Sequence, residues 1–178
     1  MAIKEICRLG HPLLRKNSQD IPEDELGSPS IKALTQDLIE TMHENGGIGL
    51  AAPQIGINLN VVVVEIASNN HRYPYSADLP LTVLYNPVIE VMDYSIHGFW
   101  EGCLSIPDLR GFVERPQKIR VFYKDCENRD NTFMAEHFLA TVFQHEIDHL
   151  RGRLFIDHIQ DYTKLSYLAE YEMFHSYE

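Results

Sequence analysis

The sequence predicts an α+β domain in which strands fill the middle of the chain and helices lie towards both ends. Three observations lead to this prediction. The 178 residues suit one compact domain. Apolar residues recur at helical spacing over 31–42 and again over about 136–150, while β-branched or alternating segments lie between them. The 44% hydrophobic and 23% charged residues are typical of a globular protein.

The first predicted element is a helix that begins after Ser28. The Ser28 hydroxyl is suited to cap a helix, and Pro29 takes the first helical position, where its missing N–H is not needed. The pair Gly46-Gly47 ends the helix. The apolar residues at helical spacing are Ile31, Leu34, Leu38, Ile39 and Met42.

The strands are expected next. The run Val61–Ile66 is rich in valine, which favours a buried strand. The polar segment 67–80 predicts a loop, and Asn86-Pro87 predicts a turn. The further predicted strands are 81–85, 88–94 and 119–124, followed by a turn at 125–130 and a last short strand around Phe133.

The final elements are helical. The pattern over about 136–150 predicts a second helix, which Gly152 ends. Residues 161–174 are suited to a short terminal helix. We therefore expect residues 1–178 to form a single domain with that helix at its end.

Composition restricts the partners and the compartment. A formal net charge of −11 argues against broad binding to nucleic acid or to anionic membranes. The first ten residues contain no apolar signal region, and the apolar run 61–64 is far too short to span a bilayer. Three cysteines are an odd and sparse set that fits a reducing compartment. We expect a cytoplasmic protein.

The strongest chemical signal is the segment HEIDH, in which His145 and His149 lie four residues apart. On a helix these two imidazoles share one face, so both can bind one metal ion, and Glu146 can act as a base beside it. An exposed helix that carries two histidines by chance is the alternative. The apolar flanks argue against it, because unpaired His and Glu are costly in a core. These flanks are Phe138, Leu139, Val142, Phe143 and Leu150.

A catalytic metal needs a third protein ligand, and the residues leave alternatives open. The spacing HExxHxxGxxH fails here because Phe155 stands where its last histidine would be. Glu170 or Glu172, from a later helix, would make a zinc endopeptidase. Cys103 follows Gly102, which allows close backbone approach, and a thiolate is a strong ligand for divalent transition metals.

A third segment, GIGLAAPQ, follows the first helix. Its small residues would let a substrate backbone come close, and Gln54 could donate a hydrogen bond to a developing oxyanion. The alternative is a helix stop followed by an ordinary turn.

GIGLAAPQ, EGCLS and HEIDH, in that order, resemble the three signature segments of the peptide deformylase family. The similarity extends from about residue 3 to 160, including flanks at 10–15, 105–116 and 144–157. The resemblance implies a hydrolase that removes the formyl group from the N-terminal formyl-methionine of newly made proteins. It also implies a fold of mostly antiparallel strands wrapped around the central HExxH helix.

The resemblance implies a role for each motif residue. Cys103, His145 and His149 would bind one divalent metal ion, with Fe²⁺ favoured and Zn²⁺, Ni²⁺ or Co²⁺ as alternatives. Glu146 would act first as base and then as acid. Gln54 and the backbone N–H of Leu104 would bind the oxyanion. The residues expected to contact the substrate are Ile48, Gly49, Gly102, Phe99, Arg110, Phe138 and Val142.

The chain departs from the family pattern in two places. His137 stands where glycine is common, and its distance along the helix keeps it from the metal. The C-terminal segment is short and acidic, so the resemblance does not extend to members whose basic tail docks on the ribosome. Two rival functions remain: the zinc endopeptidase, and a binding module with a structural zinc, for which no fourth ligand is apparent.

Overall fold

The computed structural model describes residues 3–66 and 78–176 and shows an α+β fold, as predicted. Most of the predicted loop 67–80 lies outside the described residues. The elements, in chain order, are α1 (Pro29–Glu44), β1 (Gly49–Ala51), β2 (Val61–Ile66), β3 (Leu79–Cys103), β4 (Ile106–Lys124), β5 (Asp130–Glu136), α2 (His137–Leu150), β6 (Leu165–Tyr167) and α3 (Leu168–Phe174).

The strands form one antiparallel sheet in the order β1-β2-β3-β4-β5, and β6 pairs with β4. Helix α2, which carries the HEIDH segment, contacts each of the strands β1 to β5. Its Phe143 and Leu150 are fully buried in a cluster with sheet residues such as Val62 and Val121. The HEIDH segment therefore lies in the core, as its apolar flanks predicted.

Helix α1 confirms the predicted capping. The Ser28 side chain accepts a hydrogen bond from the Ile31 N–H, and Pro29 is the first helical residue. Leu38 and Met42 are fully buried against β1 and β2. Because the chain turns directly from α1 into β1, this packing sets the position of the GIGLAAPQ segment.

The long hairpin of β3 and β4 differs from the prediction of several short strands. Asn86-Pro87 is not a turn but an irregularity within β3, where the pairing with β4 shifts register. Asn86 adopts φ 50°. Its side-chain amide accepts a hydrogen bond from the Ile21 N–H and donates one to the Ile21 C=O, both at 2.8 Å. The chain reverses only after Cys103, which pairs with Ile106. Cys103 therefore lies at the tip of a hairpin.

The C-terminal segment also differs from the single helix expected over 161–174. A short 3₁₀ helix, Tyr162–Lys164, leads into β6, and α3 begins only at Leu168. Three successive residues of β6 pair with β4, which fixes an extended conformation that apolar spacing alone did not reveal.

No helix among the described residues is long and apolar enough to cross a membrane.

His137 gives a test of backbone strain. It is exposed and adopts φ 53°, a left-handed conformation that costs a side-chain-bearing residue about 1–2 kcal/mol but suits glycine. We expect His137→Gly to raise the free energy of unfolding by about 0.5–1 kcal/mol, since glycine also has more unfolded-state entropy to lose. Urea denaturation measures the change.

His137→Ala is the matched control, because it removes the imidazole but keeps the Cβ. A gain in stability with alanine as large as with glycine would show that the side chain, not the backbone, causes the effect.

Candidate metal centre and active-site cleft

Cys103, His145 and His149 come together where the tip of the β3–β4 hairpin meets α2. Their ligand atoms lie within 4.8 Å of one another, and the Cys103 sulfur is 3.3 Å from His149 Nε2. The two imidazoles lie on one face of α2, with ring centroids 5.2 Å apart. This is the arrangement that the i, i+4 spacing predicted.

The chemistry of these residues fits one metal ion. Burial alone would raise the pKa of the Cys103 thiol, but His149 and His145 together hold that pKa well below its usual range, which favours the thiolate ligand. Within the described chain, no other His, Cys, Asp or Glu belongs to this group. Three protein ligands leave a coordination position open, which suits catalysis rather than a closed structural zinc.

The endopeptidase ligand set is not assembled. Glu170 and Glu172 are exposed on α3 and do not belong to the group of metal-capable residues.

Glu146 is buried beside the ligands and has an unusual environment. Burial raises the pKa of its carboxyl group, although His145 and His149 partly oppose the rise. Its Oε2 atom has no hydrogen-bond partner among the described residues. Gly49 packs directly on the carboxylate, and a Cβ at that position would overlap it. A buried carboxylate with a raised pKa suits proton transfer near neutral pH.

Gln54 is held so that its amide N–H₂ faces the site. Its Oε1 accepts from the Ala51 N–H at 2.8 Å, while Nε2 lies 3.5 Å from the Cys103 sulfur and donates to Ser105 Oγ at 3.1 Å. The side chain is almost fully buried. The fixed donor is therefore already oriented, as an oxyanion site requires.

A series of ionic contacts begins at the Nδ1 atom of His145 and continues through Glu101 and Arg115 to Asp148. Glu101 accepts from His145 Nδ1 at 2.7 Å and from Arg115 Nε at 2.6 Å. Arg115 also donates to Asp148 at 2.7 Å, and Asp148 lies 2.8 Å from His158. Burial alone would raise the pKa of Asp148, but His158 and Arg115 lower it to about 2. Because Glu101 accepts a hydrogen bond from Nδ1, Nε2 is the His145 atom that could bind a metal ion.

A cavity of about 560 Å³ opens onto these groups. It is lined by Cys103, His145 and Glu146, and by Gln54 and Leu104, the two residues expected to bind the oxyanion. Most residues expected to contact substrate line it as well, namely Ile48, Gly49, Gly102, Arg110, Phe138 and Val142. Phe99 does not line the cavity; it packs edge-on against Phe138, with ring centroids 5.7 Å apart. The guanidinium of Arg110 lies so close over Gly102 that a Cβ there would overlap it.

Sequence reasoning missed Glu101, Arg115 and Thr141. Glu101 lies two residues before Cys103, so strand alternation places both on one face, and this signal could have found it. The pairing of Arg115 with Glu101 depends on the hairpin register and left no local signal. Thr141 lines the cavity, and its buried hydroxyl has no partner among the described residues.

Comparisons with known sequences agree with this geometry. A family model described as polypeptide deformylase matches residues 3–165. A peptide deformylase of Leptospira biflexa is 43% identical over 165 residues, covering 93% of this chain and 92% of that protein. Peptide deformylase 2 of Pseudomonas syringae is 40% identical over 166 residues, with coverage of 93% and 92%.

Solved structures show the same similarity. A class I type b peptide deformylase from Acinetobacter baumannii, with Met-Ala-Ser bound, matches with a TM-score of 0.85 and 33% identity, covering 89% of this chain and 99% of that one. A peptide deformylase from Synechococcus elongatus in complex with actinonin matches with a TM-score of 0.79 and 34% identity, with coverage of 94% and 82%.

The contact between Glu101 and His145 can be tested by Glu101→Gln. The variant keeps the shape but loses the charge that orients His145, and we expect metal affinity to fall about 10–100-fold. Metal titration of the purified protein measures this change.

Asp148→Asn is the matched control. It removes a charge from the same Arg115 without touching Nδ1 of His145, so it should lower thermal stability with a smaller effect on metal affinity. Wild-type metal affinity in Glu101→Gln would contradict the assigned role.

Proposed function

The chain belongs to the polypeptide deformylase family and is a hydrolase that removes the N-terminal formyl group from peptides, and we propose that it does so at one divalent metal ion held by Cys103, His145 and His149. The observation that carries this proposal is the grouping of these three residues within 4.8 Å of one another, beside a cavity that Cys103, His145 and Glu146 line. A divalent ion at such a site supplies a Lewis acid and lowers the pKa of water towards neutrality.

Glu146 is the proton-transfer group of the proposed mechanism. Its carboxylate takes a proton from the attacking water and then gives that proton to the nitrogen of the leaving peptide amine. The raised pKa suits both steps, because a group that titrates closer to neutrality exchanges protons in either direction. The absence of a side chain at Gly49 leaves room for the Glu146 carboxylate, because a Cβ there would overlap it.

Gln54 and the backbone N–H of Leu104 stabilise the negative charge that develops on the formyl oxygen. The amide of Gln54 needs no reorientation, because the Ala51 N–H already holds its oxygen. The loss of one such donor typically lowers the rate by roughly 10²–10³.

The methionine side chain of the substrate binds against Phe138 and Val142, which line the cavity on α2. Phe99 supports Phe138 from the side. A flexible thioether packs well against aromatic rings, so formyl-methionine should be preferred to formyl-glycine. The Acinetobacter baumannii relative binds Met-Ala-Ser, which supports this assignment by similarity. We assign hydrogen bonding with the substrate backbone to Ile48, Gly49 and Gly102, and we place Arg110 next to the bound peptide.

We propose Fe²⁺ as the physiological ion, since the resemblance favours it and a mixed thiolate and imidazole site accepts Fe²⁺ as well as Zn²⁺, Ni²⁺ or Co²⁺. We further propose that the protein works as one catalytic domain in the cytoplasm on formyl-methionyl nascent chains. Three free cysteines support a reducing compartment. The exposed acidic residues of α3 do not supply a basic ribosome-docking surface.

The direct test is formate release from formyl-Met-Ala-Ser by purified protein whose metal content has been measured. Turnover that scales with metal content supports the proposal. Metal-replete protein that releases no formate, or that cleaves internal peptide bonds instead, would refute it.

The role of Glu146 is tested by Glu146→Gln. We expect the variant to keep its metal, since no ligand changes, and to lose about 10²–10⁴-fold in kcat, since proton transfer is removed. Metal analysis and steady-state kinetics on one preparation measure both. Near-normal turnover in a metal-replete variant would disprove proton transfer by this group.

The role of Cys103 is tested by Cys103→Ser. A hydroxyl is a much poorer soft ligand than a thiolate, so we expect weaker metal binding or a change in which ion is retained. Cys7→Ser and Cys126→Ser are controls, because neither residue belongs to the ligand group. If all three variants retain metal equally, the thiolate is not a ligand.

A further inference from the structure

The C-terminal segment Leu165–His175 lies almost entirely beyond the family match, which ends at residue 165, and yet it is built into the body of the protein. Strand β6 places Leu165, Ser166 and Tyr167 opposite Gly111, Arg110 and Leu109 of β4. This pairing fixes the start of the segment by backbone hydrogen bonds rather than by side chains alone.

Side-chain contacts fix the rest of the segment. The ring of Trp100 contacts Tyr171 and His175 of the segment, with centroids 5.1 and 5.0 Å away, and Phe112 at 5.9 Å. The ammonium of Lys164, just before β6, lies 4.3 Å from the centre of the Phe112 ring. Leu168, Tyr171 and His175 are the partly buried residues of this stretch, and their spacing puts them on one helical face.

The strands beneath this segment are the ones that carry the active site. Trp100 directly precedes Glu101, and Arg110 pairs with Ser166. Leu168, the first residue of α3, lines the same cavity as Cys103 and Glu146. Trp100 and Pro107 line the cavity as well, next to the charged Asp108 and Arg110 of β4, so Leu168 is one of several apolar residues in a mixed lining.

The position of Leu168 in the cavity indicates which part of the substrate it contacts. The residues assigned to the methionine side chain lie on α2, whereas Leu168 comes from a different element. The cavity of about 560 Å³ is also lined by residues of several elements other than α2, including β1, β3 and β4.

Resting on the proposed function, we propose that the C-terminal segment is a wall of the substrate cleft and that Leu168 binds side chains of the peptide that follow the formyl-methionine, with preference for apolar ones.

The test compares three substrates: formyl-methionine amide, formyl-Met-Leu-Ser and formyl-Met-Lys-Ser. Leu168→Ala should lower the ratio of kcat/KM for formyl-Met-Leu-Ser to that for formyl-methionine amide by about three- to tenfold, mainly through KM. Leu168→Glu should shift the preference from the leucine peptide towards the lysine peptide, because it replaces an apolar contact by a negative charge.

Met173→Ala is the matched control, since Met173 is exposed on the same helix and does not line the cavity. Metal content is measured for each protein to exclude an indirect effect on the ligands. An unchanged ratio in Leu168→Ala, or an equal change in Met173→Ala, overturns the inference. If the wild type releases formate from none of the substrates, the proposed function fails instead.

Discussion

The buried ion pair between Glu101 and Arg115 is the interaction on which the rest of the site depends. It joins β3 to β4, and through His145 and Asp148 it joins both strands to α2. Both side chains are about 96% buried, so each charge needs its partner. Removal of one partner from such a pair typically costs about 3–5 kcal/mol, because the other charge is left buried and unpaired.

This ion pair explains how polar groups can lie in the core. His145, Glu146 and His149 are costly in an apolar interior unless other groups satisfy them. Glu101 accepts a hydrogen bond from His145, and Asp148 accepts one from Arg115 and lies 2.8 Å from His158. Glu146 Oε2 is left without a partner among the described residues, and it is also the group to which we assign the chemistry. His149 Nδ1 also lacks a partner among the described residues, so the environment satisfies His145 but leaves His149 and Glu146 each with one unpaired polar atom.

Local patterns in the sequence predicted α1 and α2 well, because helix signals act over a few residues, whereas the first half of the predicted terminal helix is a 3₁₀ turn and a strand. The Ser28-Pro29 start and the apolar flanks of HEIDH needed no knowledge of distant contacts. The length of the β3–β4 hairpin could not be predicted in this way. Much of β3 is exposed or partly exposed on both faces, so alternation is weak, and Asn86-Pro87 mimics a turn. Asn86 is held within the strand by Ile21, which is 65 positions away in the sequence.

The same distinction applies to the site. The motifs predicted the grouping of Cys103, His145 and His149 with the neighbouring Glu146, because these residues lie close together along α2 or beside a glycine. Arg115 and Leu168 could not be predicted, since one depends on strand register and the other on the pairing of β6 with β4. Thr141 was missed because a threonine within an apolar helix face gives no signal of its own.

The placement of Cys103 at a hairpin tip and of both histidines on α2 has a consequence for folding. An ion bound by all three cross-links two elements that are distant in sequence and have no reason to meet in the unfolded chain. Its binding free energy therefore adds to the stability of the folded state, in proportion to the logarithm of the free metal concentration. The catalytic ion would thus also stabilise the folded structure. Cells poor in that ion would hold a population of the enzyme that is inactive and also easier to unfold and degrade.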